Sequence, residues 1–127
     1  MQGPSILIVE DDRIVAQDLR MRLTGLGYPE PGLAATGEAA IIHAKSKHLD
    51  LILMDIVFAK GHLDGVQTVE EIRAFAVLSV IYITASTDEA TLERAIATRP
   101  SAIIRKPVET HELAQRIQAA LSRKGRP

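Results

Sequence analysis

The stretch Leu51-Ile52-Leu53-Met54-Asp55 decides how this chain folds, because an unbroken apolar run ends on a carboxylate. A short, continuous apolar run is typical of a strand buried on both faces, as in a parallel sheet covered by helices. Asp55 would then lie at the carboxyl end of a central strand, where open α/β sheets place their chemistry. Taken alone, the stretch favours a simpler role in which Asp55 caps the following turn. The rest of the chain reverses that preference.

Composition limits the classes of protein that this chain can be. It has 127 residues and 13.8 kDa, the size of one domain, with 46% hydrophobic and 24% charged residues. A net charge of −1 gives no basic field to hold nucleic acid. Cysteine is absent, which excludes disulfides and agrees with a reducing compartment. No apolar run is long enough to span a membrane and no signal peptide is recognisable, so we expect a cytoplasmic protein that binds neither membrane nor nucleic acid.

Strand-like and helix-like patterns alternate along the chain. After the first apolar run, Val15, Leu19 and Leu23 recur four apart, which is one face of a helix. The same change of pattern occurs five times with short connections, and it predicts a parallel sheet with right-handed crossovers and helices on both faces. The predicted strands are Ile6–Val9, Leu33–Ala35, Leu51–Asp55, Val80–Ile83 and Ala102–Ile104.

Local signals add detail to this prediction. Ser86 and Glu89 have the spacing of a capping box, which predicts the start of the fourth helix there. Tyr82 is interpreted as a core or sheet-edge residue. The sequence contains no stretch with the composition of a linker, so we predict one domain over residues 1–127. Its core would run from about residue 5 to 122, and its polar termini would be frayed.

Polar residues suited to one task follow four of the predicted strands: Glu10 and Asp11, Asp55, Thr84 and Lys106. In a parallel sheet these strand ends share one edge. Each residue alone has an ordinary interpretation as a cap, a turn residue or a solvated charge. Together, three crowded carboxylates repel one another unless a cation is present. A hard divalent ion with oxygen ligands supplies that cation, and Mg²⁺ is the usual one, with Mn²⁺ as a substitute.

A hydroxyl and an ammonium opposite the acids point to a tetrahedral anion between them. A phosphoryl group fits, with its oxygens shared among Mg²⁺, Lys106 and the Thr84 hydroxyl. Phosphoryl transfer mainly requires such positioning and charge neutralisation. Asp55 is the predicted nucleophile, because a carboxylate can accept a phosphoryl group directly.

With these residues in view, the chain resembles the receiver domains of response regulators, the CheY-like phosphoacceptor modules of two-component signalling. The matching stretches run through the whole chain in family order: Ile6–Asp12 (ILIVEDD), Leu51–Ile56 (LILMDI), Asp64-Gly65, Thr84-Ala85 and Lys106-Pro107. The resemblance implies a flavodoxin-like (βα)₅ fold with strand order 2-1-3-4-5. It also implies phosphorylation of Asp55 by a phosphohistidine on a sensor histidine kinase or a histidine phosphotransfer protein.

The resemblance further assigns roles within the site. It implies that Asp11 and Asp55 bind the metal directly, that Glu10 assists through water, and that the backbone carbonyl of Val57 completes the protein ligands. Thr84 and Lys106 would contact the phosphoryl oxygens. The protein would catalyse only its own phosphorylation and dephosphorylation, and would signal to an output protein or domain. A homodimer through the fourth helix, last strand and last helix is a further implication.

The sequence also departs from the family pattern. The segment between Asp55 and Gly65 is longer than is common, and Phe58-Ala59 replaces the usual Met-Pro. Ile103 stands where many members carry Tyr or Phe, so switching by a moving aromatic ring is not expected. Histidines are scattered, and we expect His62, in the longer loop, to be simply exposed.

Two other kinds of protein are alternatives to a working receiver. A degenerate receiver that only binds a partner is disfavoured, because every chemical position is filled. A metal-dependent phosphohydrolase would need a general acid two residues after the nucleophile, where Val57 stands. In receivers, that position and the one two beyond the Thr, here Ser86, line the path of an attacking water. Val57 cannot orient a water, so slow loss of phosphate is predicted.

Overall fold

The computed structural model describes residues 3–58 and 61–123, and in them strands and helices alternate from end to end. No helix in these ranges combines the length and apolar character needed to cross a membrane. The elements are β1 (Ile6–Val9), α1 (Arg13–Gly25), β2 (Gly32–Ala34), α2 (Gly37–Ser46), β3 (Leu51–Asp55), α3 (Gly65–Arg73), β4 (Ser79–Thr84), α4 (Glu89–Ala97), β5 (Ala102–Arg105) and α5 (Thr110–Arg123).

The strands form one parallel sheet in the order β2-β1-β3-β4-β5, which confirms the predicted fold and strand order. β3 lies at the centre, and all of its residues are buried. Ile52 pairs in register with Leu7 of β1 on one side and with Val80 of β4 on the other. The continuous apolar run at 51–54 is therefore a strand covered on both faces, as its composition predicts.

Successive residues of β3 point to opposite faces, and each face has its own core. Ile52 and Met54 belong to a core closed by α2, α3 and part of α4, whereas Leu51 and Leu53 belong to a core closed by α1 and α5. Each fully buried aliphatic side chain contributes roughly 1.5–3 kcal/mol of transfer free energy. These two cores fix the sheet, and the sheet in turn fixes its carboxyl edge.

The start of α4 differs from the prediction. Asp88 is the N-cap and its side chain accepts from Thr91 N, so the predicted Ser86–Glu89 capping box is wrong. Ser86 instead accepts from Asp88 N through its hydroxyl at 3.1 Å. Asp is as good a cap as Ser, and here the extended backbone conformation falls on Asp88. The spacing signal alone could not decide between the two positions.

Tyr82 is fully buried in β4, so its interpretation as a core residue is confirmed. Its hydroxyl shares a 2.8 Å hydrogen bond with Thr98 Oγ1, which satisfies the polar end of the ring. Burial raises the pKa of the Tyr82 hydroxyl. Ile103 pairs in register with Tyr82 from β5 and packs against the same core. The sheet surface beneath α4 is therefore fixed by packing on this side.

Candidate functional site

Polar side chains meet at the carboxyl edge of the sheet, as the sequence predicts. Glu10 follows β1, Asp55 and Thr84 end β3 and β4, and Lys106 follows β5. Glu10, Asp55 and Thr84 are buried despite their polarity. Buried polar groups of this kind need partners, and the partners identify the chemistry of the site.

Three carboxylates form the centre of the site. Oxygens of Glu10, Asp11 and Asp55 all lie within 4.8 Å of one another. Glu10 is fixed from two sides, because its Oε1 accepts from Lys106 Nζ at 2.9 Å and its Oε2 accepts from Asp12 N at 3.0 Å. Lys106 Nζ also donates to Asp55 Oδ2 at 3.3 Å. One ammonium, from after the last strand, thus bridges two buried acids that follow or end the first and third strands.

The three carboxylates carry more negative charge than the Lys106 ammonium neutralises. Burial raises the pKa of Asp55 to about 6, repulsion from Glu10 adds to the rise, and Lys106 opposes it. Burial disfavours the charged form of Lys106, but its hydrogen bond to Glu10 and the nearby Asp55 outweigh this, so the pKa of Lys106 is raised. Lys106 therefore stays an ammonium, whereas Asp55 takes up a proton at a higher pH than an ordinary carboxyl does.

The donor set fits a hard divalent cation. Carboxylate oxygens are the ligands that Mg²⁺ prefers, and Glu10, Asp11 and Asp55 are the group of three or more possible metal ligands found among the described residues. A cation among them would supply the charge that Lys106 alone does not. Val57 lies just beyond β3 with its side chain 59% exposed, and the metal role of its carbonyl remains a prediction.

Thr84 is brought to the same edge, but its side-chain hydroxyl bonds to the backbone of the loop that follows it. Its Oγ1 accepts from Ser86 N at 3.0 Å, and its carbonyl accepts from Lys106 N at 2.9 Å. A hydroxyl that accepts one hydrogen bond keeps its proton to donate. Thr84 is thus placed to order the β4–α4 loop, and its contact with a phosphoryl group remains a prediction.

Sequence reasoning left the task of Asp12 open. Its Oδ1 accepts from Ile14 N at 2.9 Å and Val15 N at 3.2 Å, so it caps α1. Its own N–H meanwhile holds Glu10. An Asp directly before a helical pattern is a recognisable N-cap signal, so this role was readable from the sequence.

The Asp64-Gly65 pair has a physical reason that the sequence does not reveal. Gly65 N donates to Ile56 O at 2.7 Å, and a Cβ on Gly65 would lie 2.0 Å from Asp55 O. Only glycine allows α3 to begin this close to the end of β3. Asp64 caps α3 in a capping box with Gln67 and accepts two hydrogen bonds from Arg94.

The longer loop between β3 and α3 is described except for residues 59 and 60, so the predicted effect of Phe58-Ala59 on its shape lies partly outside the described residues. His62 is exposed, as expected. The backbone N–H of His62 donates to Glu38 Oε2 at 2.9 Å. Sequence reasoning missed Glu38, because nothing in its local pattern distinguishes it from an ordinary first-turn acid.

Comparisons with known proteins agree with this geometry. The family model for the response regulator receiver domain matches residues 6–118. The chain is 32% identical over 123 residues to the transcriptional regulatory protein YvrH of Bacillus subtilis, covering 97% of this chain and 51% of YvrH. The chain spans about half the length of such curated relatives.

Solved structures show the same fold. The signal receiver domain of a modulated diguanylate cyclase from Desulfovibrio desulfuricans G20 is 39% identical, with a TM-score of 0.89 and 95% of each chain covered. The CheX–CheY complex with BeF₃ and Mg²⁺ from Borrelia burgdorferi matches at 27% identity and a TM-score of 0.83, covering 92% of this chain and 88% of the other. The chain belongs to the response regulator receiver domain family.

Proposed function

We propose that this receiver is a Mg²⁺-dependent phosphoacceptor that takes a phosphoryl group onto Asp55 and relays signal by a change of shape. The observation that supports this most is the buried Asp55 carboxylate, held 3.3 Å from the Lys106 ammonium and beside two further acids. Burying such a group costs stability, and a structural carboxylate has no need of this crowding. The proposal includes Asp11 and Asp55 as direct metal ligands, with Glu10 acting through water and the Val57 carbonyl assisting.

The transfer follows from these positions. A carboxylate oxygen of Asp55 attacks the phosphorus of a phosphohistidine, the phosphorus–nitrogen bond breaks, and the imidazole leaves with its electron pair and takes up a proton. Lys106 turns from Asp55 to the phosphoryl oxygens, and the Thr84 hydroxyl donates to one of them. A bound Mg²⁺ would supply charge neutralisation between the carboxylates and the phosphoryl group. Asp55 must be ionised to attack, and both the Lys106 ammonium and a bound cation would favour its ionised form.

The wider biology belongs to the same proposal. A sensor histidine kinase or phosphotransfer protein would supply the phosphoryl group, in the cytoplasm. The chain would act on no substrate other than itself. Its relatives named as transcriptional regulators are about twice as long, so we propose that output runs through a further domain or a separate protein. Self-association would use α4, β5 and α5.

Intact mass spectrometry after incubation with acetyl phosphate tests the phosphoacceptor. The parent should gain one phosphoryl group with Mg²⁺ and none with EDTA, and Asp55→Asn should gain none. Asp18→Asn, on the exposed face of α1, is the matched control and should behave as the parent. An undiminished gain in Asp55→Asn would refute the assignment, and no gain in the parent under any divalent ion would favour a degenerate receiver that only binds a partner.

The exposed Val57 side chain supports slow loss of phosphate, because it offers an attacking water no hydrogen bond. Ser86 is engaged through its hydroxyl with Asp88 N, which lessens its ability to hold that water. Val57→Asn should therefore shorten the lifetime of the phosphorylated protein after the donor is removed. Decay within seconds in the parent, or no change in the variant, would contradict this view of the pocket.

A further inference from the structure

The segment 56–64, here called the β3–α3 loop, joins the strand that ends in Asp55 to the start of α3. It begins with Ile56 and Val57, directly after the proposed phosphoacceptor. Its two ends are tied together by the Gly65 N to Ile56 O hydrogen bond. The contacts of Glu38 hold the loop at a further place, residues 61–63, which follow the two loop residues that the structure does not describe.

Glu38 lies in the first turn of α2 and reaches the loop from outside the site. Its Oε2 accepts the His62 backbone N–H at 2.9 Å. The His62 N–H is the largest cause of a lowered pKa for Glu38, and the Leu63 N–H adds to it. A carboxylate that receives backbone N–H groups of a loop holds that loop as an N-cap residue holds a helix end.

The loop backbone is also shaped to approach this carboxylate. Gly61 has a φ of +84°, which is natural for glycine and strained for other residues. A Cβ at Gly61 would lie 2.6 Å from Glu38 Oε1, so a side chain there would displace the Glu38 carboxylate from the loop. Glycine at this position thus serves both the turn and the close contact.

The second carboxylate oxygen is enclosed. Glu38 Oε1 is shielded from solvent and has no hydrogen-bond partner within the described part of the chain. The lowered pKa of Glu38 shows that the loop N–H groups outweigh this enclosure, so the folded protein favours the charged carboxylate.

The base of this contact is rigid. Thr36 caps α2 by accepting from Ala39 N, and Gly37 lies so close to α3 that a Cβ there would be 2.0 Å from Thr68 Oγ1. Glu38 therefore projects from a helix start that is wedged against α3. A loop attached to this point takes its position from both helices.

We infer that Glu38 is a positioning residue for the phosphoacceptor site: its carboxylate holds the β3–α3 loop, and through the loop it holds Val57. The inference deepens the proposed function and rests on it. With Glu38 in place, the Val57 carbonyl is preorganised for the metal and its side chain shields the phosphoryl group. Without Glu38, the described part of the loop keeps its hydrogen bonds at Ile56, Asp64 and Gly65 but loses the one at His62, so Mg²⁺ binds less tightly and water reaches the phosphorus more often.

Three variants separate positioning from general stability. Glu38→Ala removes the acceptor, and Glu38→Gln keeps an acceptor oxygen without the charge. Glu89→Ala is the matched control, because Glu89 is the first-turn acid of α4 and its loss weakens a helix start in the same way. Thermal melts of all three show whether each variant folds, and Glu38→Gln keeps the test available if Glu38→Ala does not.

Amide exchange in the metal-free protein is the first measurement. Exchange at His62 and Leu63 should speed up about tenfold in Glu38→Ala, as expected for loss of a charge-assisted hydrogen bond, and less in Glu38→Gln. Mg²⁺ affinity and phosphate lifetime are the second and third measurements. Both should fall about threefold or more in Glu38→Ala, with partial rescue in Glu38→Gln and parent values in Glu89→Ala.

The outcomes distinguish this inference from the proposed function. Unchanged exchange at His62 in Glu38→Ala overturns the inference, and so does faster exchange with parental Mg²⁺ affinity and phosphate lifetime. Equal losses in Glu89→Ala also overturn it, because they would mark a general effect of stability. If the parent takes no phosphate at all, the proposed function fails, while exchange and Mg²⁺ affinity still decide whether Glu38 positions the loop.

Discussion

Two loops leave neighbouring strands at the same edge of the sheet, and they are held in different ways. The β3–α3 loop is tied to its own strand end through Gly65, to α2 through Glu38, and to α4 through the Asp64–Arg94 pair. The β4–α4 loop, residues 85–88, is described by local hydrogen bonds only, from Ser86 N to Thr84 Oγ1 and from Asp88 N to Ser86 Oγ. The β3–α3 loop is therefore held by contacts with other elements, whereas the β4–α4 loop is held by hydrogen bonds among its own residues and Thr84.

The helices that follow repeat this difference. Most of one face of α3 is buried, including Val66, Val69 and Ile72, whereas Ala95 is the only α4 residue that is fully buried within the described chain. Ile96 of α4 is 61% exposed. Elements with little buried apolar surface open at low free energy. We therefore expect the β3–α3 loop to hold its shape and the β4–α4 loop and α4 to change when Asp55 is modified.

The largest expected effect comes from disrupting the close contact between Gly65 and the end of β3, where the β3–α3 loop begins and ends. Gly65→Ala forces a Cβ against Asp55 O and should lower the free energy of unfolding by about 3 kcal/mol, at the upper end of overpacking costs. Gly25→Ala is the control, because a Cβ there meets nothing within 4 Å, and it should be neutral or stabilising. Urea unfolding of both variants checks this. Equal stability of the two would mean that α3 is free to move away from β3.

The next effect sharpens the electrostatic side of the comparison. Because the pKa of Asp55 is raised in the folded protein to about 6, the native state binds its proton more tightly than the unfolded state does. The ionised Asp55 carboxylate therefore destabilises the fold. This destabilisation is absent below about pH 4, grows between about pH 4 and pH 6, and is complete above that. Without Mg²⁺, the free energy of unfolding of Asp55→Asn should exceed that of the parent by about 2 kcal/mol at pH 8, and the two should be equal near pH 4.

Denaturant unfolding across this pH range, with EDTA present, provides the measurement. Asp18→Asn, which removes one negative charge from the surface, is the control. Adding Mg²⁺ should raise the stability of the parent more than that of Asp55→Asn. If the difference in stability between Asp55→Asn and the parent does not vary with pH, then the ionised Asp55 carboxylate does not destabilise the fold.

A smaller effect compares the two helix caps directly. Asp88→Ala removes the cap of α4 and should cost about 1 kcal/mol. Asp64→Ala removes the cap of α3 together with the Arg94 contact, so its cost should be larger. Amide exchange should rise in α4 alone for Asp88→Ala, and in both α3 and α4 for Asp64→Ala. Faster exchange throughout the β3–α3 loop in Asp88→Ala would contradict the view that the two loops are braced separately.

The smallest expected effect is at the polar link between α3 and α4. Both partners are partly exposed, so the Asp64–Arg94 pair should contribute only about 0.5 kcal/mol, and less at high salt. A double-mutant cycle with Arg94→Ala and Asp64→Ala isolates the pair. A coupling well above 1 kcal/mol at high salt would mean that this link, and not apolar packing, holds α4 in place.

The sequence by itself determined the sheet and the composition of the site. Apolar runs such as 51–54 are long enough for strands and too continuous for one-sided burial, so they had to lie inside a parallel sheet. Strand direction then put Glu10, Asp55, Thr84 and Lys106 at one edge, whatever the details of packing. Local chemistry along the chain was sufficient for this, because each element is defined by neighbours in sequence.

Only the tertiary structure decided how the site is held. Glu38 meets His62, Asp64 meets Arg94, and Lys106 meets Glu10 across separations that no local pattern encodes. The raised pKa of Asp55 likewise depends on burial by distant elements. Even the cap of α4 was misassigned, since Ser86 and Asp88 are both good caps and the backbone conformation chose between them. Sequence periodicity reports which side chains are buried, whereas hydrogen bonds and pKa values depend on which buried groups come together.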